Sequence, residues 1–230
     1  YEIRSSDWSS DVCSSDLTVP QKVNPSRFLN IKSGSRKIVA LACSTGGPKS
    51  LQQVIPMLPK NLDAGIVLVQ HMPAGFTASL AARLNEISDI MVKEGADGDI
   101  IEKGCVYIAP GGKHMTVARS GSDYAIKISE EPPVEGLRPC ANIMYKSLVN
   151  CNFDEITCVV LTGMGADGTE GIKALSSSRK KIHVIAQDED SSVVYGMPKV
   201  AYELGGVQKQ VPLMQMADEI SKLAREHLVS

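Results

Sequence analysis

The chain has 230 residues, with 24 Lys and Arg against 26 Asp and Glu and a formal net charge of -2. That length can bury a substantial core without disulfide or metal staples, and the near-balanced charge, with no block of Lys and Arg, lacks the electrostatic footprint of a nucleic-acid binder. No apolar run approaches the roughly 20 residues needed to cross a bilayer, and the polar first residues contain no apolar signal core.

The first stretch differs from the rest. Ser5-Ser6-Asp7-Trp8, Ser9-Ser10-Asp11-Val12 and Ser14-Ser15-Asp16-Leu17 repeat one short phrase without an amphipathic period. Residues 18–35 carry Pro20, Pro25, Ser33, Gly34 and Ser35, the composition of a linker. Residues 1–36 are therefore expected to be a disordered or non-native leader plus linker, and 37–230 a folded domain.

From Lys37 the texture changes. Lys37–Cys43 is a β-rich apolar run, and Pro48 suits the first turn of a helix carrying Leu51, Val54, Ile55 and Leu58. Gly65–Gln70 reads as a second apolar strand and 76–87 as an amphipathic helix. Residues 105–109, 115–118 and 124–128 are short strands between Gly-rich turns, an antiparallel hairpin insertion or a sheet edge. Residues 156–161 and 181–186, each followed by a helix, resume the alternation. Fully apolar strands alternating with helices imply a parallel sheet covered on both faces. The expected fold is α/β: a single doubly wound, mostly parallel sheet with a small antiparallel hairpin insertion.

The six cysteines, Cys13, Cys43, Cys105, Cys140, Cys151 and Cys158, are scattered and several sit in apolar runs. No CxxC pair or Cys/His metal spacing occurs, so buried reduced thiols are expected, and neither a metal nor a cofactor is implied.

Ligands of open α/β sheets bind beyond the carboxyl ends of the strands. Three such ends carry Ser44, His71 and Asp167, the parts of a nucleophilic triad. A serine hydroxyl needs a base, an imidazole can serve near neutral pH, and a carboxylate can hold the imidazole tautomer. Thr45, Gly46 and Gly47, at the start of a helix with free N–H donors, and Met164 and Gly165 opposite them, with Gly163, are candidates to line the site and hold an oxyanion. A serine before Gly-Gly also suits a phosphate loop or a helix cap, yet the patterns GxxxxGK[ST] and GxGxxG are both absent. The chain order Ser, His, Asp differs from that of the α/β-hydrolases, and Ala42 stands where their elbow has glycine. Asp97 and Asp99 read as turn residues, His183 as core, His227 as solvated, and His114 as a better candidate for the site edge than His183.

Taken together, Ser44-Thr45-Gly46-Gly47-Pro48, Gln70-His71-Met72-Pro73, Tyr107-Ile108-Ala109-Pro110-Gly111 and Leu161-Thr162-Gly163-Met164-Gly165-Ala166-Asp167-Gly168 resemble the catalytic domain of the CheB family, the chemotaxis protein-glutamate methylesterases. Ala186-Gln187-Asp188 and Tyr195-Gly196-Met197-Pro198 are similar too. The resemblance covers 37–230. It implies a cytoplasmic enzyme with Ser44, His71 and Asp167 as its triad, acting on the cytoplasmic domains of methylated chemoreceptors, releasing methanol and also deamidating receptor glutamines. It further implies an N-terminal phosphorylatable receiver domain, which this sequence does not contain. Nothing suggests a dimer seam, so a monomer is expected. Two departures stand out: Ala42-Cys43 replaces the family's Gly-Ala before the serine, and Arg138-Pro139-Cys140-Ala141-Asn142 replaces Arg-Pro-Ser-Val-Asp, which would remove an acid near the site mouth.

Overall fold

The computed structural model describes residues 36–225. The expected leader and most of the linker, Cys13 and His227 lie outside the described residues.

The central strands form where the sequence is apolar on both faces. β1 (Lys37–Cys43) and β2 (Gly65–Gln70) are buried along their whole length, as are β4 (Cys105–Ile108) and β7 (Glu155–Val160). Between them run α1 (Gly47–Val54), α2 (Phe76–Glu86), β3 (Met91–Glu94), the hairpin β5 (His114–Ser120) and β6 (Asp123–Ser129), and α3 (Ala141–Ser147). After β7 come α4 (Thr169–Ser176), β8 (Lys181–Gln187), α5 (Met197–Leu204), β9 (Lys209–Val211) and α6 (Leu213–Arg225). The expected helix through Leu58 is split: Pro56 cannot donate an N–H, and the chain tightens into a 3-10 turn at Ile55–Met57. Leu51, Val54, Ile55 and Leu58 are buried all the same.

The main sheet has the order β3-β4-β2-β1-β7-β8-β9, and every pairing in it is parallel. Of the three short strands expected to be antiparallel or marginal, β5 and β6 make the hairpin, whereas β4 joins the parallel sheet between β3 and β2. Its four buried residues suit an interior strand.

Strand alternation divides the apolar residues between two faces. Val39, Leu41, Ile66 and Leu68 pack with α1, α2 and α6. Ile38, Ala40, Ala42, Val67 and Val69 pack with α3, α4, α5 and the hairpin. Tyr145 of α3 is fully buried there, and its hydroxyl donates to Val159 O at 2.9 Å, which offsets the cost of burying it. Each fully buried aliphatic side chain contributes about 1.5–3 kcal/mol.

From β1 the chain first builds outward through β2, then crosses to β7 on the other side. This reversal lies at the carboxyl ends of β1, β2 and β7, and such a switch point is where α/β sheets hold ligands.

All five described cysteines are free and buried. Burial pushes every one of these thiols up, to about 11 for Cys105, Cys140 and Cys151 and higher for Cys43 and Cys158. In a Cys13→Ser background, a thiol-directed disulfide reagent is expected to leave native protein unlabelled over minutes and to titrate five thiols in denaturant. Rapid labelling of the native state would contradict this burial.

Candidate active site

The three loops meet because the parallel ladders extend past the strands. His71 N–H donates to Cys43 O at 3.2 Å and Ser44 N–H to Thr162 O at 3.0 Å, so Ser44 is held between the ends of β2 and β7. After Ser44 the chain must turn at once into α1. Gly46 makes that turn with φ 83°, and a Cβ there would lie 2.6 Å from Cβ of Val193. Conformation and space both require glycine.

His71 is half-buried, and its Nε2 lies 2.8 Å from Oδ2 of the buried Asp167. A carboxylate only accepts, so this contact assigns the proton to Nε2 and leaves Nδ1 as the basic nitrogen. Asp167 receives three further donors: Ala141 N–H to Oδ2 at 2.6 Å, Asn142 N–H to Oδ1 at 2.9 Å, and Cys140 Sγ–H to Oδ1 at 3.2 Å. Burial pushes the carboxyl up, but the hydrogen bond from His71 and those from Ala141, Asn142 and Cys140 together outweigh it and hold the group below its ordinary value. Asp167 thus caps α3 from 26 residues away along the chain. Ser44 Oγ is half-exposed and forms no hydrogen bond among the described residues. A hydrogen bond between nucleophile and base often forms only once substrate binds.

A depressed carboxyl has a stability signature. The unfolded chain takes up the proton first, so the contribution of Asp167 is present above the unfolded value, roughly pH 4, and is lost as pH falls through the lower folded value. Denaturant midpoints for the protein and its Asp167→Asn variant are expected to differ most near pH 7 and to draw closer as the pH falls below about 4. A gap independent of pH would show that the charge on Asp167 contributes nothing.

The candidate oxyanion donors separate into two sets. Gly47 N–H is taken by Ser44 O at 2.8 Å and Gly163 N–H by Val194 O at 3.0 Å, so neither can serve an oxyanion. The N–H groups of Thr45, Gly46, Met164 and Gly165 have no acceptor among the described residues. Met164 is exposed, and a Cβ at Gly196 would lie 3.2 Å from its Cα.

The other expectations fall as follows. Asp99 closes the turn by accepting Ala96 N–H at 2.8 Å, and Asp97 ties the turn to β6 by accepting Ile128 N–H at 3.0 Å; both are structural. His114 is fully buried at the start of β5, with Nε2 facing Pro132 O at 3.1 Å, and is not a residue of the site edge. His183 is half-buried in β8. Asn142 does not sit at the site mouth. It is buried beneath Asp167, where its Oδ1 accepts Gly168 N–H at 3.1 Å and Gly171 N–H at 2.8 Å at the start of α4. The replacement of an acid there concerns the support of Asp167 and not the substrate entrance.

Sequence reasoning missed this supporting layer. Thr162 Oγ1 donates to Thr45 O at 3.0 Å, and its N–H donates to Oε1 of the buried Gln187 at 2.8 Å. The available signal was a polar residue closing an otherwise apolar strand, as at Gln70 and Gln187. Among the described residues no group of His, Cys, Asp and Glu is arranged to hold a metal, and no helix is long and apolar enough to cross a membrane.

An open parallel sheet with a serine, a histidine and a carboxylate on adjacent strand ends has the plan of an α/β serine hydrolase. The chain belongs to the CheB methylesterase family, whose model matches residues 39–220. It is 46% identical over 188 residues to the protein-glutamate methylesterase/protein-glutamine glutaminase of Oceanobacillus iheyensis, covering 81% of this chain and 53% of that one. The protein of the same description from Bacillus subtilis is 43% identical over 194 residues, covering 84% and 54%. The crystal structure of the Thermotoga maritima CheB methylesterase catalytic domain superimposes with a TM-score of 0.78 at 38% identity, covering 83% of this chain and all of that one. The chain spans about half the length of the curated relatives it matches.

Proposed function

We propose that residues 37–230 form the catalytic domain of a protein-glutamate methylesterase, preceded by the leader and linker of 1–36. It hydrolyses γ-methyl esters of glutamate on chemoreceptor cytoplasmic domains in the adaptation of chemotaxis. What supports this reading is that Ser44 and His71 follow the paired strands β1 and β2, with His71 Nε2 2.8 Å from Asp167 Oδ2, in a chain of this family.

In this reading Ser44 Oγ attacks the ester carbonyl carbon while His71 Nδ1 takes its proton, and Asp167 holds Nε2–H and stabilises the imidazolium. The free N–H groups of Met164 and Gly165 on one side, and of Thr45 and Gly46 on the other, bind the tetrahedral oxyanion. Collapse breaks the bond to the methoxy oxygen, which leaves as methanol with the proton from His71. Water, deprotonated by His71, then hydrolyses the acyl-enzyme to free glutamate and Ser44. A glutamine side chain follows the same course with ammonia as leaving group, which accounts for a deamidase activity on the same site. The enzyme is cytoplasmic, acts as a monomer without metal or cofactor, and works under a phosphorylatable receiver domain in the longer protein.

The test is methanol release from methylated receptor, together with labelling by a fluorophosphonate and peptide mapping. Labelling on Ser44 with methanol release is the expected result. Turnover without modification of Ser44 would refute the assignment.

A further inference from the structure

The lateral spacing of Ser44 and His71 is set by β1 and β2, whose register ends at the pair Cys43 and Gln70. One rung remains beyond it, His71 N–H to Cys43 O. After that β1 turns away into α1 and the ladder has no further main-chain bond with which to hold the nucleophile beside the base.

The side chain of Gln70 fills that gap. It closes β2 and is only 2% exposed. Its Nε2 donates one hydrogen to Ser44 O at 3.1 Å and the other to His71 O at 3.0 Å. Its Oε1 accepts the Cys43 Sγ–H at 3.1 Å. The three contacts define the amide's orientation, because a flipped group would set its oxygen against two carbonyls. Ser44 O also accepts Gly47 N–H, so it is held at two points. The amide fits only because residue 47 has no side chain: a Cβ at Gly47 would lie 1.9 Å from Gln70 Oε1.

We propose that Gln70 is a positioning residue for the hydrolytic reaction, tying the main-chain carbonyls of the nucleophile and the base to one buried amide and so fixing their separation. It acts through Ser44 and His71 and touches no substrate. The proposal rests on the triad assignment above.

The test uses the full chain with Gln70→Met, which keeps length and loses both donors, and Gln70→Glu, which keeps an acceptor for Cys43 and loses the donors. Steady-state kinetics on methylated receptor, fluorophosphonate labelling rates and thermal unfolding are measured on each, with Ser44→Ala alongside. Both Gln70 variants are expected to lower kcat about 100-fold with KM unchanged within about threefold. Labelling of Ser44 should slow in parallel, at temperatures where both variants remain folded. Normal kcat and labelling in either folded variant, beside an inactive Ser44→Ala, would overturn the positioning role alone. A raised KM with kcat intact would also overturn it, by moving Gln70 to receptor binding. If neither variant folds, the residue is a determinant of the fold and the proposal fails. Methanol release that survives in Ser44→Ala would instead sink the triad assignment.

Discussion

Ser44→Ala is expected to lower the turnover of methylated receptor by on the order of 10^4 to 10^6, the loss seen when a triad nucleophile is removed and only binding and oxyanion contacts remain. The same change should scarcely affect stability. Ser44 Oγ has no hydrogen-bond partner among the described residues, and the side chain is half-exposed. The main-chain bonds that hold the residue, Ser44 N–H to Thr162 O and Gly47 N–H to Ser44 O, do not involve the hydroxyl. A melting temperature within about 2 °C of the parent is the expected outcome, as for surface exchanges that break no buried contact. Methanol measured from radiolabelled receptor, with unfolding followed by circular dichroism, checks both halves. Activity within tenfold of the parent would remove Ser44 from the mechanism.

Asp167→Asn is expected to act on both properties. A comparable exchange in a serine-protease triad costs about 10^4 in kcat, because an amide no longer selects the productive tautomer of the base. Here the fold suffers as well. Oδ2 accepts from His71 Nε2 and Ala141 N–H, and Oδ1 from Asn142 N–H and Cys140 Sγ–H. An amide nitrogen can replace neither oxygen without facing two donors. Leaving such buried groups unsatisfied costs about 1–3 kcal/mol, or several degrees of melting temperature for a domain of this size, at about 2–4 °C per kcal/mol. Kinetics and calorimetry on the same preparation separate the two losses. A variant that is inactive but fully stable would contradict the capping role.

The central layer was legible because its signals are local. The bounds of β1 and β2 follow from apolar runs that stop at Ser44 and His71, and the three triad positions follow from looking just past strand ends. β3 and β9 were missed because edge strands are short and half-exposed: Met91–Glu94 and Lys209–Val211 carry Lys93, Glu94 and Lys209. α3 was missed for another reason. The group that caps it is the carboxylate of Asp167, and no local pattern announces a cap so distant along the chain. The division of the oxyanion candidates was illegible on the same ground, since the Gly163 N–H is consumed by Val194, 31 positions on in the numbering. Asn142 illustrates the converse. The departure from the family pattern was visible, but its place under Asp167 depends on the packing of α3 against α4.

That the Asp167 carboxylate holds both His71 and the start of α3, while the Ser44 hydroxyl bonds to nothing among the described residues, has a bearing on inheritance. In a gene copy freed from selection for turnover but still selected for a folded protein, codon 44 would drift and codon 167 would not. Inactive descendants of such a protein would keep the carboxylate and lose the hydroxyl, so a retained aspartate alone would say little about whether a relative is still an enzyme.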